Sequence, residues 1–125
     1  MYGTIENLKD SFGSKKDLLL QDITDEQLIM MLEDQSSYID SFLQVRYDLP
    51  LPGTNAMINR LCIILSKAEC YRLFASNDIP EAVKEQEKQA LKDLVKIQKG
   101  EILIMKEDTL DDDITSKEVY FGDWL

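Results

Sequence analysis

Apolar positions recur at helical spacing in four places along the chain, separated by breaks that carry proline or glycine. Thr4 is placed to cap a short first helix over residues 5–12, with Leu8 and Phe12 at helical spacing and Gly13 as the stop. Thr24-Asp25-Glu26-Gln27 reads as a capping box in which Thr24 covers the first turn and Gln27 reaches back to the Thr24 amide. The two acids inside it suit the positive end of the helix dipole. Leu28, Met31, Leu32, Ile39, Phe42 and Leu43 then form a stripe, interrupted at Gln35 with Ser36 close by, which predicts a helix to about Arg46. Pro50, Pro52 and Gly53 cannot continue it.

Thr54 or Asn55 starts a third helix that runs to about Ala75. Its apolar residues cover much more than one stripe, which assigns it to the centre of a domain or to a partner's surface. Leu61, Leu65, Tyr71 and Phe74 are its expected core residues. Pro80 opens a fourth helix that closes on Gly100. Apart from Val83, its apolar residues (Ala90, Leu91, Leu94, Val95 and Ile97) gather in the C-terminal half, so the N-terminal half is expected to be solvated or splayed from the body. Residues 15–22, with Leu18-Leu19-Leu20, read equally as a helical turn or a connector. The pattern as a whole is all-α, with about four helices, two of them long core helices.

The pattern changes after Gly100. Residues 102–105 read as a short strand, followed by an acidic stretch over 107–113 and an aromatic end holding Tyr120, Phe121 and Trp124. Eight acidic and two basic residues give residues 101–125 a net charge of −6, out of −10 for the chain. The division is therefore a helical domain over 1–100 and an extended acidic, aromatic C-terminal arm over 101–125. Leaving a large side chain in water forgoes roughly 1.5–3 kcal/mol. The aromatic end is accordingly expected to dock, either on a neighbouring subunit or partner, or back on its own helices.

Composition narrows the function. A chain of 125 residues builds one domain with a core of its own. A net charge of −10 argues against autonomous nucleic-acid binding, which needs a basic face to neutralise phosphates. The absence of histidine removes the commonest near-neutral acid/base and the commonest metal ligand together. Cys62 and Cys70 stand eight apart on one helix, about 12 Å along its axis. That is too far for a disulfide, so they read as small buried hydrophobes in a reducing compartment. The acidic run at Asp111-Asp112-Asp113 lacks the glycine and terminal glutamate of a calcium loop. Ser36-Ser37 has no base beside it, and no glycine-rich phosphate loop occurs. No apolar run approaches the roughly 20 residues of a membrane span, and the N-terminus shows no secretory leader. These features lean away from an enzyme and toward a binding or structural module.

One constellation remains, at the junction from Ser41 to Leu51. Arg46 and Tyr47 end a helix, and Leu49 and Pro50 follow in a stiffened loop. The plain reading is a helix end whose aromatics fill the core; the functional reading is a rigid loop presented to a neighbouring subunit. Here the chain resembles the family typified by phage Mu gene product thirty-six. The resemblance begins at Tyr2, Thr4, Glu6, Leu8 and Phe12-Gly13 and continues through Thr24-Asp25. It is strongest over Asp34, Ser36, Ile39-Asp40, Phe42-Leu43, Arg46-Tyr47 and Leu49-Pro50-Leu51. It runs on through Ala68, Tyr71-Arg72-Leu73 and Lys99-Gly100, about the first hundred residues. The resemblance implies a head-completion or head–tail connector-like subunit, structural in role, with no catalysis, no cofactor and no fixed metal, found in the virion or the bacterial cytoplasm. Its expected partners are copies of itself in an oligomer or ring, and portal or tail proteins. The alternative is a soluble homo-oligomeric adaptor outside the virion. Arg46, Tyr47, Leu49, Pro50, Tyr120, Phe121 and Trp124 are the expected interaction residues.

Overall fold

The computed structural model describes residues 1–15, 20–74 and 78–104. Among them are four α-helices, α1 (Ile5–Asp10), α2 (Asp25–Leu43), α3 (Ala56–Phe74) and α4 (Glu81–Lys99). A 3-10 turn lies at Gly13–Lys15, and no strand occurs among the described residues. The fold is all-α, as the spacing predicts. The last three helices have 19 residues each, about 28 Å of length, and pack mutually. Helix α1 lies against α2 and α3.

Local chemistry sets the helix starts. The Thr4 hydroxyl accepts from the Asn7 amide at 3.1 Å. Thr24 and Gln27 form the expected reciprocal pair, at 3.1 Å to the Gln27 amide and 2.8 Å from the Thr24 amide. Asn55 is the residue that caps α3, its Oδ1 accepting from the Ile58 amide at 3.1 Å. An ion pair of 2.9 Å from Lys9 to Asp25 ties α1 to the first turn of α2.

Helix α3 is central. Ile58, Leu61, Cys62, Leu65, Ser66, Ala68, Cys70 and Tyr71 are all buried on it. Helix α2 contributes Leu28, Met31, Leu32, Ser36, Ile39 and Leu43, and α4 contributes Val83, Ala90, Leu94 and Ile97. Where Gln35 breaks the stripe, Ser36 takes the inward position instead. Its hydroxyl donates to the Leu32 carbonyl at 2.6 Å, accepts from the Tyr2 amide at 2.8 Å and lies 3.6 Å from the Cys62 sulfur. The N-terminal segment thereby fastens onto the body. The Gly3 amide donates to Asn59 Oδ1 at 3.2 Å, and the Tyr2 hydroxyl donates to Asp40. Both cysteines are buried free thiols.

Three expectations are corrected. Phe74 is 38% exposed. It is the last residue of α3, beyond Tyr71, the last buried position of that helix, and Leu73 beside it is 60% exposed as well. The N-terminal half of α4 is solvated at most positions, as expected, but it is not splayed: Val83 is buried, and Arg72 Nη2 donates to both carboxylate oxygens of Glu87, at 2.7 and 2.8 Å. Helix α2 stops at Leu43, short of Arg46. The leucines at 18 and 19 lie outside the described residues.

Two predictions follow from this packing. Leu65, almost fully buried in α3, leaves a cavity when truncated, so Leu65→Ala loses about 2–5 kcal/mol in urea unfolding. A loss below about 0.5 kcal/mol would place it at the surface. The second concerns alkaline pH. Burial pushes the Cys70 thiol up to about 12 from 9.0 and raises Cys62 as well. Burial and the Asp40 carboxylate raise the Tyr2 hydroxyl. The unfolded chain therefore gives up these protons first, and the stability they represent is present below pH 9 and lost as pH rises from there toward 12. The urea midpoint falls over that range, and Cys70→Ala flattens the fall.

Candidate interaction site

The chain leaves α2 through a tight turn. The Gln44 amide bonds to the Asp40 carbonyl at 2.9 Å, and the Arg46 and Tyr47 amides both turn back to the Leu43 carbonyl, at 3.0 and 2.8 Å. This aims the Arg46 side chain at the far end of α4, where its Nη2 donates to the Lys99 carbonyl at 3.2 Å. Carbonyls in a last helical turn lack intrahelical donors and carry partial negative charge, so a guanidinium there satisfies both needs. Gly100 closes the same turn in a left-handed conformation, φ +83°. Its amide reaches the Ile97 carbonyl at 3.1 Å, and the Glu101 amide reaches that of Lys96 at 2.8 Å. A Cβ on Gly100 would lie 2.6 Å from the Arg46 guanidinium carbon, so glycine is required here by both backbone and neighbour.

Tyr47 is half-buried against the core, and its hydroxyl accepts from the Ile104 amide at 3.4 Å. Asn55 donates from Nδ2 to the Ile104 carbonyl at 2.7 Å while its oxygen caps α3. Residues 102–104 are consequently not a strand. Both backbone groups of Ile104 are met by side chains, and Ile102 and Ile104 pack on the helical core. Met105 lies outside the described residues. Leu49 and Leu51 are half-buried against the core, with Pro50 exposed between them and joined to Leu49 by a cis peptide bond.

Of the expected interaction residues, the structure thus brings Arg46, Tyr47 and Leu49 together around the ends of α2 and α4, and leaves Pro50 outward. Tyr120, Phe121 and Trp124 lie outside the described residues. Asn55, Gly100 and Ile104 complete this junction; the sequence marks them as a helix start, a helix stop and part of a strand, and not as members of one site. Asn55 as a helix cap and Gly100 as a helix stop gave local signals; their long-range partners did not.

Two outward faces carry apolar groups. On α2 and the turn after it, Met30, Tyr38 and Val45 are 61%, 45% and 63% exposed, and Tyr38 meets Phe42 edge-on at 5.2 Å. On α4, Leu91 and Val95 floor an open groove of about 470 Å³ bordered by Lys88, Lys92, Lys96 and Lys99, with Glu101 at its end. Val95 is therefore a groove residue, 38% exposed, and leaves the expected core to Ala90, Leu94 and Ile97. The lysines at 88, 92 and 96, four apart, were the available signal for this face. Such faces offer apolar contact selected by charge, which is the chemistry of protein–protein docking. Among the described residues no helix is long and apolar enough to cross a membrane.

Comparison with protein families matches residues 2–121 to the family described as Bacteriophage Mu, Gp36. The match runs past residue 100, where the resemblance traced above ends, and takes in Tyr120 and Phe121. Comparison with curated proteins gives no match.

The junction generates a coupled prediction. Gly100→Ala forces a left-handed alanine, costing roughly 1–2 kcal/mol, and displaces Arg46 from the Lys99 carbonyl. In an Arg46→Ala background the second part of that cost disappears. A double-mutant cycle in urea unfolding therefore shows positive coupling, whereas strict additivity would mean that the two residues act independently.

Proposed function

The chain belongs to the Bacteriophage Mu Gp36 family, and on that premise we propose that this phage protein is a head-completion or head–tail connector-like subunit that acts by assembling with other proteins. The observation that carries the reading is the extent of the family match, which covers nearly the whole chain. The partners on this reading are further copies of the subunit, in an oligomer or ring, and portal or tail proteins. Its place of action is the virion, or the bacterial cytoplasm in which virions form. The role is structural and uses no reaction and no cofactor.

The geometry supports this reading in two ways. Arg46, Tyr47 and Asn55 bind the 44–55 connection to the end of α4, so Pro50 and its exposed neighbours sit on a loop whose base is already ordered. Docking an ordered loop forfeits less conformational freedom than docking a slack one. Met30 and Tyr38 on α2 and Val45 in the turn after it add exposed apolar area beside that loop's helix.

Deleting the gene from a phage that carries it tests the proposal. Electron microscopy of the lysate is expected to show heads and tails that fail to join, restored by the wild-type gene. Tyr38→Glu combined with Val45→Glu fails to restore joining, although both positions are exposed and the loss of the Tyr38–Phe42 ring contact costs only about 0.5–1.5 kcal/mol, so the protein stays folded. Normal joined particles from the deletion overturn the connector role. Should the protein then still oligomerise, the adaptor outside the virion is the surviving reading.

A further inference from the structure

The outward face of α4 is the one concentration of positive charge that the assembly reading leaves unused. Helix α4 holds five of the chain's 14 cationic residues, and four of them border the groove floored by Leu91 and Val95. We propose that this groove seats the chain's own C-terminal segment, residues 105–125, with the aromatic side chains at Tyr120, Phe121 and Trp124 against the apolar floor and the acidic residues among the lysines.

Three observations converge on that occupant. The first is charge. Residues 105–125 carry seven acidic and two basic residues, while the groove offers four lysines against Glu101, of which Lys88 also stands 3.9 Å from Glu85. On a chain of net charge −10, an acidic segment is repelled by most other surfaces. The second is the match of apolar parts. Each exposed ion pair contributes little, so the lysines select the segment and the Leu91–Val95 floor must supply the rest of the attraction. The only cluster of aromatic residues in the acidic segment stands at its end.

The third observation is reach. The described chain stops at Ile104, held by Asn55 and Tyr47, and Glu101 at the end of α4 already lines the groove. From Lys88 to Lys99 the groove runs about 16 Å along the helix. Sixteen extended residues from Ile104 to Tyr120 span on the order of 50 Å, so the aromatic end reaches any part of the groove. A tether of this kind sets an effective concentration in the millimolar range, which favours the segment of the same chain over that of a second copy.

Trp124 is the only tryptophan, so its fluorescence in the full chain reads the docking directly. The expected result is blue-shifted emission with low accessibility to acrylamide, unchanged by dilution. Lys92→Glu with Lys96→Glu, or Val95→Asp alone, shifts the emission to the red and raises acrylamide quenching several-fold, with helical circular dichroism retained. Lys92→Arg leaves both unchanged. All three positions are exposed, and the lysine pair carries the test should Val95→Asp disturb the fold. Carbodiimide treatment joins Lys92 or Lys96 to a carboxylate of 105–125 within one polypeptide. A water-exposed emission in the wild type, or protection that none of the α4 variants alters, overturns the proposal. So does protection lost on dilution, or cross-linking found only between chains, because the occupant is then a second copy.

Discussion

Helix α3 is apolar or small around most of its circumference, and a surface of that kind has to be covered from several directions at once. No single partner helix can do it. Helix α2 covers one sector, α4 another and α1 a third, and Lys67 of α3 lies over the Phe12 ring at 5.9 Å. The rest of the architecture is the set of devices that hold those covers in place. Arg72 reaches from α3 to Glu87 and keeps the start of α4 down; Arg46 reaches from the end of α2 and holds its other end. Lys9 draws α1 to α2.

The same constraint explains the polar atoms in the interior. Ser36 and Cys62 meet between α2 and α3 at 3.6 Å, where small side chains let two helices approach closely, and Ser66 stands one turn along α3 from Cys62. Their hydroxyl and thiol groups are not left unpartnered: Ser36 and Cys62 both turn to the Leu32 carbonyl. Ser36 also receives the Tyr2 amide, so the buried polar group orders the start of the chain. Gly3 follows with φ +75°, and a Cβ there would meet the Ile63 side chain at 2.9 Å. The N-terminal segment is thus part of the covering of α3.

What the sequence made legible was local. Caps at Thr4 and Thr24 depend on residues three apart, and the α2 stripe depends on spacing within one helix. What it hid was which sides of a helix its neighbours occupy. Phe74 and Val95 have the composition of core residues and stand on uncovered faces, a distinction that periodicity within one element cannot supply. Long-range partners were equally hidden: nothing near Arg46 in the chain points to Lys99, and nothing near Asn55 points to Ile104. The apolar run at 102–104 suggested a strand because β-branched residues favour one, but a strand needs a neighbouring backbone. Here Asn55 and Tyr47 supply the donor and acceptor in its place.

Asn55 has one side chain and two tasks, with its oxygen on the first turn of α3 and its nitrogen on the backbone of Ile104. In mechanical terms, this makes it a transfer point for load. A pull on the chain beyond residue 104 does not first unwind α4 from its C-terminal end, because the strain passes at Ile104 into the cap of the central helix and, through Tyr47, into the turn after α2. Tension in the backbone at Ile104 is therefore shared with the first turn of the central helix, and the last turn of α4 does not carry it alone.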